Sequence, residues 1–336
     1  MTKIIKVFLT IIILALSASN SISQTKLAQT GLKFLSVGAD ARASAIGEAI
    51  TSLESNSSAM FYNPAGMARQ TGLVDATFNM TQWIADINYM HASAAFAPSG
   101  GLYGVFGLSI ASVDYGEFNR TIRAVGDQDY VDLGTYSPTA IALGVGYAKA
   151  LSDKFSVGGN VRYVYQDLGD GHVISFNNDG SYEERGFDID VFSFDFGILY
   201  KTGFKSLNFG MSLRNFSQEI EYIEESFQLP LTFKIGLSMN LLDLWDINSS
   251  DHAFNFAVDA EHPRDFKEQI HFGGEYVFYD ILSLRFGYVT PTDEQGINAG
   301  VGLKHGLAGF NFGVDYAYLD FGIFENVQRF SINISY

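Results

Sequence analysis

Between Leu231 and Leu241 the chain alternates without interruption. Leu231, Phe233, Ile235, Leu237, Met239 and Leu241 are large and apolar, and Thr232, Lys234, Gly236, Ser238 and Asn240 are polar, charged or glycine. A period of two places successive side chains on opposite faces of a strand, so this stretch predicts a strand with one apolar and one polar face. The same alternation governs Phe254 to Glu261, Leu282 to Tyr288, Phe310 to Tyr316 and Phe330 to Tyr336. Fourteen segments follow it: 72–83, 87–97, 102–115, 138–151, 155–168, 190–202, 206–222, 229–242, 252–262, 268–279, 281–291, 296–305, 309–320 and 327–336. In 87–97 the apolar phase switches near His91, and Asn215-Phe216 breaks phase in the manner of a β-bulge.

Strand length then selects the fold. Strands in soluble sheets average about 5–6 residues, whereas a tilted strand needs about 9–11 to cross a bilayer. These segments are of the second kind. Their connections alternate too: tight at Pro98–Gly101, Ser152–Lys154, Gly203–Lys205, Asp280 and Gly306–Ala308, longer at 116–137, 169–189, 223–228, 263–267 and 321–326. Short turns on one rim and long loops on the other are the plan of an outer-membrane barrel. The 243–251 link is longer than that plan expects of a periplasmic turn. A soluble sandwich or propeller also alternates, but its polar face would carry Lys and Glu rather than mostly Ser, Asn and Gly. The expected fold is all-β: a 14-stranded antiparallel transmembrane β-barrel, residues 72–336, with both ends of the sheet on the periplasmic side.

The first residues read differently. Lys3 and Lys6 precede an apolar stretch, Val7 to Leu16, and Ser21 and Ser23 are small residues placed for a cut before Gln24. That is the pattern of a secretory signal, residues 1–23. Residues 24–71 are rich in small residues, with Ala39, Ala41, Ala43, Ala45, Ala49 and Ala59. Short helical turns broken at Gly38 and Gly47 are expected, then a turn at Asn63-Pro64-Ala65-Gly66, where Pro64 disfavours helix at Asn63. So short a segment cannot make a domain beside a barrel; a small helical plug inside the lumen is its expected place.

Composition narrows function. Acidic residues number 37 against 21 basic, and removing Lys3 and Lys6 leaves 19 − 37 = −18 on the mature chain. Nucleic acid is excluded as a partner, because phosphate contacts need clustered Lys and Arg. The same balance argues against docking on an anionic membrane surface. With no cysteine, thiol catalysis, disulfides and cysteine-ligated metals are excluded.

Gly31-Leu32-Lys33-Phe34-Leu35, Gly38, Ala41-Arg42-Ala43, Gly47-Glu48-Ala49, Ala59 and Phe61-Tyr62-Asn63-Pro64-Ala65-Gly66-Met67-Ala68 together resemble the PorV/PorQ family of FadL-like, TodX-related outer-membrane barrels. The resemblance implies fourteen strands with an N-terminal plug. It also implies a part in type IX protein secretion, with a translocon barrel and exported cargo proteins as partners alongside outer-membrane lipid. The plug motif carrying it is Arg42, Gly47, Asn63, Pro64, Ala65 and Gly66.

No catalytic motif is present: no GxSxG elbow, no Walker A loop, no HExxH. No enzyme activity, cofactor or metal is expected. His262 and Asp265 are too few ligands for a metal, and loop 169–189, with Asp170, Asp179, Glu183, Glu184 and Asp188 against Arg185, reads as a solvated acidic loop with calcium as the alternative. Lumen-facing Lys234, Arg162, Arg214, Arg285, Asp195, Asp259, Asp315 and Glu261 are expected to pair across the interior, and Arg42 and Asn63 to bond plug to wall. Two functions compete: a non-enzymatic component of type IX secretion acting through surface loops, and a FadL-like transporter of small hydrophobic molecules. A dense, polar, plugged lumen favours the first and a continuous apolar tunnel the second. The signal reading makes its own prediction: N-terminal sequencing of protein from isolated outer membranes will begin at Gln24, and an intact Met1 form in the cytosol would refute it.

Overall fold

The computed structural model describes residues 30–123, 130–174, 182–222, 225–245 and 251–336. The signal segment, the cut before Gln24, Asp179 and the side chains of Glu183 and Glu184 lie outside the described residues. The strands in chain order are β1 (Val74–Gln82), β2 (Asn88–Phe96), β3 (Val105–Asp114), β4 (Phe118–Arg123), β5 (Tyr130–Tyr136), β6 (Thr139–Ala150), β7 (Phe155–Ile174), β8 (Tyr182–Lys201) and β9 (Asn208–Phe216). They continue with β10 (Ile220–Glu221), β11 (Ser226–Phe227), β12 (Thr232–Asn240), β13 (His252–Pro263), β14 (Gln269–Phe278), β15 (Leu282–Thr290), β16 (Ile297–Leu307), β17 (Phe310–Asp320) and β18 (Asn326–Ser335). Fourteen of them close an antiparallel barrel in the order β1, β18 through β12, β9, β8, β7, β6, β3, β2. Closure runs from Asp75 opposite Ser335 to Gln82 opposite Gln328, so no barrel edge is left unpaired in hydrocarbon.

The two faces follow the alternation. On β1, Phe78 and Met80 are each 47% exposed, while Asp75, Thr77, Asn79 and Thr81 are buried inward. On β15, Leu284, Phe286 and Tyr288 face outward and Arg285 inward. Among the described residues no helix is long and apolar enough to span a bilayer; crossing is left to the strands. The outward rows are the membrane face of an outer-membrane protein.

Three details differ from the sequence expectation. First, β2 has no phase switch: Tyr89, His91, Ser93 and Ala95 all point inward. The apparent switch arises because inward Tyr89 is apolar, packing in a cluster with Leu32, Phe34 and Leu35. Second, residues 116–137 are not plain loop. β4 and β5 pair as a hairpin, and β7 and β8 run on beyond the barrel as a two-stranded ribbon, Asp170 to Ile174 against Tyr182 to Gly186. Third, the strand expected over 206–222 ends at Phe216. The bulge expected there is present: pairing with β8 shifts between Phe194 and Phe196, and Asn215 has φ 61°.

The N-terminal segment occupies the lumen. It forms a 3₁₀ turn at Lys33–Ser36, one α-helical turn at Ala41–Ala45, and 3₁₀ turns at Asn56–Phe61 and Pro64–Met67. Four directly opposed glycine pairs in the wall receive it: Gly107 with Gly146, Gly158 with Gly197, Gly210 with Gly236, and Gly273 with Gly287. Met60 lies over the first pair, Asn63 and Pro64 over the second, Thr51 over the third, and Ile46 and Gly47 over the fourth. A Cβ at most of these wall positions would overlap the segment, and at Gly158, Gly210, Gly273 and Gly287 it would meet backbone. The high glycine content thus has a specific use: it lets a backbone lie against a barrel wall.

A lumen-facing position is not thereby tolerant. At Gly236 a serine Cβ would strike the Asp259 carboxylate and lie 3.1 Å from Thr51 Cβ. In a folding titration Ile235→Arg, on the lipid face, should lose about 2–4 kcal/mol near the midplane, and Gly236→Ser about 1–3 kcal/mol by overpacking. Thr81→Val, which removes a buried hydroxyl with no partner, should change stability by less than about 1 kcal/mol. Equal losses for all three would mean that the faces are wrongly assigned.

Candidate functional site

The segment enters the described structure at the rim opposite the chain's entry into β1. Gly31 N donates to Gln228 O at 3.1 Å, and Thr30 and Lys33 both bond Asp265 in the loop after β13. Burial raises the Asp265 carboxyl, but hydrogen bonds from Lys33 and Thr30 outweigh it and hold it below the usual carboxylate range. A depressed carboxylate stabilises the folded form above its ordinary pKa and loses that contribution as pH falls through the folded value. This clamp therefore contributes fully at neutral pH and weakens as the Asp265 carboxyl is protonated in acid. From here the segment descends the lumen before joining β1 at the rim of short turns.

Asp40 caps the first helical turn, accepting from Ala43 N at 2.6 Å, and Ala41 N donates to Ser331 Oγ on β18. Arg42 leaves this turn toward β14. Its Nε and Nη2 make a two-point bond to the Glu275 carboxylate at 2.9 and 2.8 Å. Glu275 also accepts from Arg285 Nε at 2.8 Å, and Arg285 Nη1 reaches Asp315 at 2.6 Å. Two guanidiniums and two carboxylates thus join the segment to β14, β15 and β17. Arg42 is only partly buried, its side chain 29% exposed, because it borders a cavity of about 330 Å³ on the side of the short turns.

Gly47 has φ 63°, a conformation open to glycine at little cost, and its carbonyl contacts His271 Nδ1 at 2.7 Å. His271 Nε2 lies 2.8 Å from Glu261, which pairs with Lys234 at 2.7 Å. Glu48 lies between Lys234 and Arg329, and Arg329 is buried against the ring of Trp83 at 5.7 Å. Asn63 is buried and caps the next turn. Its Oδ1 accepts from Ala65 N at 3.1 Å while Nδ2 donates to Thr51 O and Ile198 O. Pro64 supplies the first residue of that turn and Gly66 N closes it on Asn63 O. Ala65 packs over Gly158. Of the motif residues, Arg42 and Gly47 engage one half of the wall, and Asn63, Pro64 and Ala65 the other, at β7 and β8; Gly66 stays within the segment.

The expected lumen pairs form at Arg162 with Asp195, Lys234 with Glu261 and Arg285 with Asp315. Two groups depart from that scheme. Asp259 accepts from Thr51 N at 2.9 Å, and Arg214 stands over the Tyr62 ring at 5.8 Å. Glu275 and Arg329 were not singled out in the sequence, although both occupy the polar parity of their strands. His262 pairs with Glu268 rather than with Asp265, and no group of three candidate ligands assembles for a metal among the described residues.

A cavity of about 610 Å³ lies on the other side of the segment, toward the long loops. Trp83, Tyr89, Tyr115, Phe266 and Phe321 line it together with Lys33, Arg214, Lys234, Glu48 and Glu261. Among the described residues, folded backbone thus lies between these two mixed or polar chambers of the lumen.

The family model described as type IX secretion system membrane protein PorP/SprF matches residues 130–336. No curated protein sequence matches the chain. In fold it is similar to the toluene transporter TodX of Pseudomonas putida, with a TM-score of 0.57 at 10% identity over 93% of this chain and 99% of that one. It is similar also to the toluene transporter TbuX of Ralstonia pickettii, with a TM-score of 0.56 at 11% identity over 89% and 97%. A Pseudomonas aeruginosa FadL homologue gives 0.53 at 13% identity over 89% and 98%. At such identities the likeness is one of fold.

The geometry predicts how the segment is held. Arg42→Ala leaves the Glu275–Arg285–Asp315 group in place but removes its link to the segment. Gly287→Val drives a side chain into the backbone at Gly47. In limited proteolysis in detergent both variants should cut within 31–71 faster than the parent, while heat-modified gel mobility still reports a folded barrel. Unchanged protection in both would show that these contacts do not hold the segment.

Proposed function

The chain belongs to the PorP/SprF family of type IX secretion system membrane proteins, and from that premise we propose that it is a non-enzymatic docking component of the export route. In this reading the barrel is a membrane-anchored platform. Its N-terminal segment, residues 24–71, is a structural plug, and its surface loops contact the translocon or the exported cargo. The observation that carries the proposal is the filled lumen. Backbone packed on four glycine pairs and charges tied up in ion pairs leave the space between the chambers occupied. A protein that works by contact needs a rigid barrel and does not need an open one.

The long-loop rim supplies material for such contact. The β4–β5 hairpin exposes Phe118, Tyr130, Val131 and Leu133, and Leu168 is exposed where the β7–β8 ribbon leaves the barrel. Exposed apolar side chains on two-stranded ribbons offer both strand edges and apolar anchors to a partner. The PorV/PorQ resemblance of residues 31–68 bears on the plug, and the matched family model on residues 130–336, so the two rest on separate parts of the chain. We take the shared content, a type IX secretion barrel, as the function, and PorV-like cargo receipt as its finer form.

The second reading, transport of a small hydrophobic molecule, draws on the aromatic lining of the larger chamber and on the fold shared with the toluene transporters. One comparison separates the two. Replacing residues 117–136 with a short Gly-Ser turn should abolish surface delivery of cargo and co-purification of translocon subunits from native outer membranes, with toluene uptake unchanged. Normal secretion with impaired toluene uptake would reverse the assignment.

A further inference from the structure

At the periplasmic rim the lysines differ in what they meet. Lys154, Lys201 and Lys205 line a cavity together with Glu54, and Lys201 is paired with that carboxylate at 2.8 Å. Lys304, across the rim, is bonded to Asp280 at 3.1 Å. Lys149, at the end of β6, has no acidic partner among the described residues. Lys149 shares the outward parity of Leu143, Val145 and Tyr147, which puts its stem on the lipid side.

A second, independent feature lies directly above. The outer wall of β7, β8, β9 and β12 is indented by a furrow of about 360 Å³, lined by Val157, Phe196, Ile198, Met211, Leu213 and Phe233. Val157 is the cross-strand partner of Lys149, so the furrow begins beside that ammonium group, with Cβ atoms about 5 Å apart. From Tyr200 at the rim to Phe196 is four residues of β8, roughly 13 Å along the strand. At a tilt near 40° that is about 10 Å along the membrane normal, close to half of a ~25 Å apolar band. The furrow therefore spans one leaflet, the periplasmic one. Leu151 and Phe204, both 59% exposed at the tips of the β6–β7 and β8–β9 turns, fix that depth, since such side chains belong at the hydrocarbon boundary.

We propose that this furrow and Lys149 form a binding site for one anionic phospholipid of the inner leaflet. An acyl chain lies along Val157, Ile198 and Met211, and the phosphate meets Lys149. The apolar lining and the cation are adjacent in the order that a phospholipid presents its own parts. A soluble anion would use the lysine alone, and a bulk lipid would use the furrow alone. The net charge, which argues against docking on an anionic surface, is overridden locally because charge attraction fades within about 8–10 Å at physiological salt.

Native mass spectrometry of the delipidated barrel tests the site with defined probes: phosphatidylglycerol, phosphatidylcholine and glycerol phosphate. The parent should retain one phosphatidylglycerol about fivefold better than phosphatidylcholine, as one lysine at a membrane surface implies, and should not retain glycerol phosphate. K149Q should bring the two lipids to near equality, and M211W, which fills the furrow, should weaken both. K304Q should behave as the parent. Heat-modified mobility confirms that each variant is folded. Equal retention of both lipids by the parent, an unchanged preference in K149Q, or retention of glycerol phosphate as strong as that of the lipid would overturn the proposal.

Discussion

A backbone inside hydrocarbon has nowhere to place its N–H and C=O groups except on itself, and that requirement organises this molecule. It forces the sheet to close, β1 onto β18. Closure at fourteen strands creates an interior too wide for its own side chains to fill. Something must then fill it, and here the chain uses its own N-terminal segment. That choice repeats the original problem one layer inward, because the segment's peptide groups also need partners. They find them on the wall, with Thr51 N on Asp259, Ala41 N on Ser331, Ser44 O on Asn298 and Met60 O on Asn160.

Close approach is what makes these bonds reachable. Glycine costs a strand stability, since it brings no packing surface and loses most entropy on ordering. Here four glycine pairs sit opposite one another across adjacent strands, at the level where the segment touches. The loss in the wall is offset by contact with the segment. The charged groups follow the same logic. A buried Arg329 or Glu275 would be expensive alone, but each is shared between elements, so the ion pairs also fix where the segment lies.

These constraints explain what the sequence could reveal. Lipid outside and polar groups inside impose a period of two, so all fourteen barrel strands were legible, although the one expected over 206–222 already ends at Phe216 and β8 begins as early as Tyr182. Beyond the membrane both faces of a strand meet water and the period lapses. The β4–β5 hairpin and the outer part of the β7–β8 ribbon were therefore read as loops. Within the segment, local chemistry was legible: Asn63 before Pro64 signals a capped turn. Its partners were not, because Arg42 meets Glu275 across 233 positions of sequence. Glycine was visible as an excess, but its meaning emerges only when register sets Gly158 opposite Gly197 and both beneath Asn63 and Pro64.

The same physics assigns work to the two rims. A lumen committed to holding its own segment has little free chemistry left, since its cations and carboxylates are largely paired with each other. What remains unspent lies at the ends: apolar ribbon residues such as Tyr130 and Leu133 above, and Lys149 beside an apolar furrow below. One end carries groups suited to a protein partner in water, and the other carries groups suited to a lipid leaflet. A barrel of this kind is well placed to hold a fixed position in the membrane while presenting a constant surface outside it, which is what a docking component of a secretion machine requires.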